Sequence, residues 1–360
     1  MPIKYKWVAQ NIRDLIEKNI KGGIEKLPSE EALCTAYNVS RQTVRQALSL
    51  LEEQGLITRR QGSGSFVTGI LPDPGKNTVG ILISDDQNYL YPRLLNDMQT
   101  ELTRAGFTHK IYVTKNRFHT ERRILTELLY SPPRGIIAEG CKSALPNPNL
   151  DLYRRLIKKK SSIVFLHNYY PGLGGSLYVK DDNAGGSAML VRHLAELGHM
   201  SIGGIFKSDD LQGIERFQGF AEAMCSLGLE LCDEQIGWFD SRDQDALFRR
   251  DTRFLRRIAE ETITACTAVV CYNDMIAYYL TEELKRAGYR LPEDLAVVSF
   301  DNTYLSSLEE LTVTTLSHKP HEMGALAAHT MIQTLKGLPA APQEVPWKLN
   351  RKESTGEMIR

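Results

Sequence analysis

The residues with the most legible chemistry stand near the start of the chain. Ser29 and Glu30 come first, then Ser40, Arg41, Gln42, Thr43 and Arg45. Guanidinium forks, hydroxyls and a carboxylate within a few residues of two capping serines suit base edges and phosphate oxygens. Two short helices must carry them. Ser29 is a good N-cap for the first, and Leu33 and Ala36 give that helix a short apolar face. Ser40 caps the second, in which Val44, Leu48 and Leu51 recur at helical spacing and point to a core. Arg41, Thr43 and Arg45 fall off that face, in the first turns, where a recognition helix meets DNA. Gly55 suits a left-handed cap. Leu56 to Val67 then reads as a hairpin with Gln61 and Gly62 at its tip and with Arg59 and Arg60 bringing charge.

An amphipathic helix precedes this pair, from about Tyr5 to Ile20, with Val8, Ile12, Ile16 and Ile20 as its stripe and Gly22-Gly23 as its stop. Lys4 and Tyr5 at its start are candidates for a phosphate. The head is mildly basic. Residues 1–70 hold ten Lys or Arg against seven Asp or Glu, a net of +3, which leaves −3 for the rest of a chain that is neutral overall.

The chain has 360 residues, enough for two or three domains. No run of apolar residues is long enough to span a membrane, and no N-terminal signal peptide is visible, so a cytoplasmic protein is expected. Six cysteines are scattered without zinc-ligand spacing and read as reduced thiols. No metal and no cofactor are expected. The boundaries read as 1–68 for the DNA-binding head, 69–76 for a Gly- and Pro-rich linker, and 77–355 for a two-lobed body.

That body alternates strand and helix signals, from Val79–Ile83 through Leu94–Ala105, His109–Thr114, Thr120–Leu129, Gly135–Ala138, Asp151–Lys158 and Ser162–Leu166. The pattern starts again with the Asn183–Leu197 helix and the Ser201–Phe206 strand. The fold class is therefore α/β, with a winged helix-turn-helix head and two successive doubly wound halves. Ligands bind such sheets at the carboxyl ends of the strands. Polar residues follow those ends repeatedly: Asp86 and Tyr89, then Glu139, Lys207 and Asp209, and later Asn273, Asp301 and His318. Arg216 lies one turn into a helix. Asp274 reads as an N-cap, and Asp210, which follows the same strand as Lys207 and Asp209, reads as a cleft residue or a turn former. A desolvated sugar needs a donor or acceptor for each hydroxyl, and this set supplies both.

Residues 27–67 closely resemble the winged helix-turn-helix head of GntR-family regulators, in the LPSE opening, V-S-R-x-T-V-R-x-A-L, G-L-I and G-S-G-S-F-V. Residues 77–355 resemble the effector domain of LacI/GalR-type repressors, itself similar to periplasmic sugar-binding proteins. The marks are VGILISD, the D-N-x-G-G start at Asp182, R-F-x-G-F at Arg216, Y-N-D at Tyr272 and the run Leu291–Asp301. The resemblance implies inducer contacts at Arg216, Asn273 and Asp301, and a homodimer whose two heads read two half-sites. It places Arg45 on a guanine, Glu30 on a cytosine amino group, Arg41, Thr43 and Lys4 on phosphates, and Gln61 and Gly62 in the minor groove. A GntR head on a LacI-type body is similar to the arabinose-utilisation repressors of Gram-positive bacteria. The strings around Glu139, Lys207 and His318 carry that likeness, including Gln212. It implies a repressor released from operator DNA by L-arabinose, with another pentose, a hexose or a disaccharide as the alternative effector. Catalysis has little support, because Gly172-Leu173-Gly174-Gly175 is an isolated turn and neither a phosphate loop nor a nucleophile elbow is present. An exported transport protein fits the body but not the head.

Overall fold

The structure is a computed structural model and describes residues 4–21, 26–53, 56–60, 64–67, 77–87, 89–308 and 310–356. The chain divides into two compact units, Met1–Lys76 and Asn77–Arg360. Gly22-Gly23, Gly55, the hairpin tip Gln61-Gly62 and the linker 69–76 lie outside the described residues.

The first unit contains α1 (Lys4–Lys21), α2 (Glu30–Tyr37), α3 (Arg41–Glu53) and the antiparallel strands β1 (Ile57–Arg60) and β2 (Gly64–Val67). Val8, Ile12 and Ile16 of α1 pack on Val44, Leu48 and Leu51 of α3, with Leu27, Leu33, Leu56 and Ile57 closing the core. The Ser29 hydroxyl accepts from the Ala32 amide at 3.2 Å, and the Ser40 hydroxyl accepts from the Thr43 amide at 3.3 Å. Both serines thus satisfy amides that a helix start leaves without partners. Arg59 does more than charge the wing. It donates to the Arg45 carbonyl at 3.0 Å and to the Ser49 hydroxyl at 3.2 Å, which ties β1 to α3.

The second unit runs through β3 (Thr78–Ile83), α4 (Tyr91–Arg104), β4 (Thr108–Val113), α5 (Phe118–Tyr130), β5 (Gly135–Ala138), α6 (Leu150–Lys158), β6 (Ser162–Leu166) and β7 (Leu177–Asp181). It continues with α7 (Asn183–Glu196), β8 (Ile202–Lys207), α8 (Leu211–Ser226), β9 (Ile236–Phe239), α9 (Ser241–Leu247), α10 (Arg253–Glu261), β10 (Ala268–Cys271), α11 (Asp274–Arg286), β11 (Ala296–Phe300) and β12 (Thr314–Ser317). The last elements are α12 (Glu322–Leu335), β13 (Gln343–Val345) and β14 (Lys348–Asn350).

Two six-stranded sheets result, ordered β13-β7-β6-β5-β3-β4 and β14-β12-β11-β10-β8-β9, and every pairing is parallel except β12 with β14. The strands are apolar on both faces, because helices cover both sides. In the first lobe α4 and α12 bury one face, through Leu94, Met98, Ala327 and Met331, and α5 and α6 bury the other. In the second lobe α7 and α8 oppose α10 and α11.

The halves are not strictly successive. After building the second sheet the chain returns to the first with α12 and β13, then leaves again for β14. It crosses between the sheets at 181–183, 317–322 and 345–348, and these crossings form the joint between the lobes. Gly219 on α8 meets the backbone of Ala184 on α7 so closely that a Cβ there would lie 2.1 Å from a carbonyl oxygen. A side chain would push the two helices apart.

Candidate functional site

In the head, α3 presents exposed Arg41, Gln42 and Arg45, with half-buried Thr43 beside them. Tyr5 of α1 shares a shallow hollow with Gln42, Arg45, Gln46, Ser49 and Leu50, so α1 begins beside the recognition helix. Lys4 is exposed at the same end. Arg45 Nε donates to Glu30 Oε2 at 2.9 Å, and Arg41 pairs with Glu31 at 3.2 Å. The two expected base readers therefore hold one another. Glu30 takes only the Nε edge of Arg45, which leaves the two Nη groups for the bidentate geometry that guanine requires. The same contact occupies one oxygen of Glu30, so Glu30 acts first as a brace for Arg45.

In the body, the carboxyl ends of both sheets face a cavity of about 320 Å³. Of the residues expected to face the effector, Tyr89, Glu139, Lys207, Gln212, Arg216, Asn273 and Asp301 line it. Asp86, Asp209 and His318 do not. Asp86 lies 3.9 Å from Lys115. Asp209 accepts from Lys142 at 2.8 Å and from the Ser241 hydroxyl at 3.0 Å, and is taken up in joining the lobes. His318 belongs to the joint.

Arg216 is fully buried. Its Nε donates to Asn183 Oδ1 at 3.0 Å, its Nη1 donates to the Tyr272 carbonyl, and its Nη2 lies 3.7 Å from Asp301 Oδ1. Its guanidinium stacks over Phe300 at 4.0 Å. Asp301 accepts from the Tyr89 hydroxyl at 2.6 Å, a bond between lobes. Burial pushes the Asp301 carboxyl up from its ordinary value, while Arg216 opposes that rise. Burial also works against the Lys207 ammonium, but Asp210 at 3.1 Å and Asp209 outweigh it and hold the group charged. Glu139 accepts from the Ser84 amide at 2.7 Å and the Tyr91 hydroxyl at 2.9 Å.

One further sequence expectation needs correction. Asn273, not Asp274, caps α11, its Oδ1 accepting from the Ile276 amide at 3.1 Å. Asp274 is buried in the first turn and accepts from Ser299, Thr303 and Thr315. Asp210 both caps α8 through the Gly213 amide and accepts from the Tyr272 hydroxyl at 2.8 Å, so it is a wall residue as well as a turn former. His167, Asn168, Asp181 and the α9 residues Ser241, Gln244 and Asp245 also line the cavity. Sequence reasoning missed Asp181 and α9. Asp181 ends β7, LYVKD, whose Lys180 and Asp181 break the apolar run that marks the other strands. The signal for α9 was its reciprocal cap between Asp240 and Asp243, without an apolar stripe.

The cleft mouth is bridged by a circuit of hydrogen bonds. The Lys142 amide donates to Asn116, the Asn116 side chain donates to the Ser241 hydroxyl at 2.7 Å, and that hydroxyl and the Lys142 ammonium both reach Asp209. The Leu211 amide also donates across the cleft to the Ser143 hydroxyl at 2.9 Å. Behind this loop the fully buried Glu121 accepts from Asn147, Asn149 and Tyr153, and lies 2.9 Å from the Tyr170 hydroxyl. Left-handed backbone at Asn116 (φ 49°), Lys142 (φ 42°), His167 (φ 63°), Tyr89 (φ 61°) and Asp301 (φ 94°) is concentrated around the cavity. Such conformations are costly and persist where the surroundings enforce them, commonly at ligand sites.

With this geometry in place, comparison with known proteins decides the family. Residues 4–67 match the family of bacterial regulatory proteins, gntR family, and residues 191–355 match a periplasmic binding protein-like domain. The chain is 33% identical over 344 residues to the arabinose metabolism transcriptional repressor of Halalkalibacterium halodurans, covering 93% of this chain and 90% of that one. It belongs to the family of the arabinose metabolism transcriptional repressors. A second relative of the same name, from Geobacillus stearothermophilus, is 33% identical over 336 residues, covering 92% of this chain and 91% of that one. Among solved structures, the periplasmic binding protein/LacI transcriptional regulator from Alkaliphilus metalliredigens QYMF, complexed with D-xylulofuranose, superposes with a TM-score of 0.65 at 20% identity, over 77% of this chain and 98% of that one. The CelR–cellobiose complex gives a TM-score of 0.64 at 21% identity, over 94% of each chain. Both share the fold. This repressor of sugar metabolism thus couples a DNA-binding head to a small-molecule-binding body. Among the described residues no helix is long and apolar enough to cross a membrane, and no cluster of His, Cys, Asp and Glu could hold a metal.

Proposed function

We propose that the repressor is released from its operator by L-arabinose bound in the cleft, that it acts as a homodimer, and that it works in the cytoplasm. The observation that carries the effector class is the charge of the cavity wall. Asp85, Glu139, Asp181, Asp210, Asp245 and Asp301 face it against Lys115, Lys207 and Arg216. A wall richer in carboxylates than in cations disfavours a sugar phosphate, while the alternation of donors and acceptors suits an uncharged polyol. A volume of about 320 Å³ lies at the small end of ligand pockets, roughly 300–1,000 Å³, which favours a single sugar ring over a disaccharide. The likeness to arabinose metabolism repressors supports L-arabinose among the single sugars.

On DNA, two heads would meet two half-sites of a near-palindrome. Sugar stabilises the closed cleft and shifts the relation of the two lobes. Release requires the sugar to bind the closed body better than the DNA-competent form. Calorimetric titration of the full chain with L-arabinose, beside D-xylose, D-galactose and D-ribose, tests the effector. Selective binding of L-arabinose, lost in Arg216→Ala, supports the reading; selective binding of another sugar replaces arabinose and keeps the regulator.

A further inference from the structure

His318 lies outside the cleft lining, yet it stands at the joint. It lies on the 317–322 crossing. Its Nε2 is 2.7 Å from Asp181 Oδ1, beside the 181–183 crossing, and its Nδ1 is 3.1 Å from the Pro346 carbonyl on the 345–348 crossing. The ring stacks on Trp347 of that same crossing, with centroids 3.7 Å apart. One imidazole therefore touches all three passages of the chain between the lobes.

Both partners are acceptors. A neutral imidazole carries one N–H and can satisfy only one of them, whereas the imidazolium satisfies both. The surrounding carboxylates agree. Asp181 faces the ring directly and also meets His167 at 3.4 Å and accepts from the Gln212 side chain at 2.9 Å. Asp301 adds a favourable field, while the Arg216 guanidinium, 5.8 Å from the Trp347 ring centroid, is a like charge that opposes it. We propose that His318 is a positioning residue which, as a cation, ties the three crossings together and sets the relation between the lobes on which the effector response depends. This rests on the cleft being the effector site.

Burial opposes the cation, but the hydrogen bond and charge of Asp181 outweigh it, so His318 titrates above its ordinary value. The clamp is complete in acid, below the ordinary histidine range, and is lost as pH rises through the raised folded value. Asp181 is correspondingly held well below the usual carboxylate range by His167 and His318 despite its burial, so it stays charged throughout.

The test uses the full chain labelled with ¹⁵N-histidine. At pH 7 without sugar, His318 should show both ring nitrogens protonated, and a single neutral tautomer would overturn the proposal. The Leu211 amide, whose acceptor lies on the opposite lobe, reports the lobe relation by hydrogen exchange. His318→Gln keeps a donor for Asp181 but not both bonds, and should speed Leu211 exchange by about tenfold, the scale of one lost charge-assisted bond. The wild type should show the same acceleration between pH 6 and pH 9, after correction for intrinsic exchange, and His318→Gln should lose most of it, with His167 on the same carboxylate carrying the remainder. Unchanged Leu211 exchange in a folded variant would sink the role. L-arabinose dissociation should follow the same profile. Should none of the sugars bind, the effector reading fails, while the ring protonation and the Leu211 exchange still decide the clamp.

Discussion

Replacing Tyr89 by Phe removes one oxygen and leaves the ring in place. That oxygen makes the 2.6 Å bond to Asp301 across the cleft, between a residue just after β3 and one just after β11. Asp301 would keep Arg216 at 3.7 Å as its charged partner but lose its shortest donor. A hydrogen bond to a charged group contributes roughly 1.5–3 kcal/mol. The bond exists only while the lobes are together, so its loss falls on the closed, sugar-binding state. Sugar affinity should drop roughly ten- to 150-fold. The fall should come mainly through faster dissociation, since truncating a charge pair's hydrogen bond chiefly raises koff. Calorimetry gives the affinity and stopped-flow displacement gives the dissociation rate, both with L-arabinose. Thermal unfolding checks that the variant is folded. A folded Tyr89→Phe protein with wild-type affinity and dissociation would mean that the cross-cleft bond contributes nothing to closure.

Arg45→Ala should lose about 1–3 kcal/mol of specific DNA binding and relax selectivity at one base pair, read by gel shift against single-base variants; unchanged selectivity would remove Arg45 from the base readers. Glu30→Gln should weaken specific binding less, because it loosens the brace on Arg45 and leaves the fork itself. Gly219→Ala places a Cβ against the Ala184 backbone and should cost about 1–3 kcal/mol, seen as a lower thermal midpoint. Stability of the body should fall as pH rises from 6 to 9. His167 and His318 both titrate above their ordinary value, so their stabilisation is complete in acid and lost on the alkaline side. Each tenfold gain in proton affinity on folding corresponds to about 1.4 kcal/mol. Urea midpoints would show the slope, which Asp181→Asn should flatten.

Most of the local structure was legible because its signals are local. Ser29 and Ser40 announced their helices, Val44, Leu48 and Leu51 announced a buried face, and the apolar strands of the body stood out between Gly-capped helices. The cleft was legible for a topological reason: polar residues at the carboxyl ends of parallel strands share one edge, so Glu139, Lys207 and Asp301 met as expected. What could not be read depended on distant parts of the chain. No local pattern says that α12 and β13 return to the first sheet, yet that return creates the joint and takes His318 out of the cavity. Asn273 and Asp274 are both good caps, and only the buried hydroxyls of Ser299 and Thr315 decide that Asp274 goes inward. Asp209 and Asp210 are neighbours of the same type, and the fold sends one to the latch and the other to the wall.

Coupling between the cleft and the DNA-binding head is read most directly as sugar-dependent release of DNA. A duplex selected from a random pool for tight binding to the full chain, labelled for fluorescence anisotropy, would be titrated with the protein and then with L-arabinose, D-xylose, D-galactose and D-ribose. L-arabinose should dissociate the complex, and Arg216→Ala should still bind the duplex but no longer respond. A complex whose affinity no sugar changes, or an Arg216→Ala protein that responds like the wild type, would contradict this coupling.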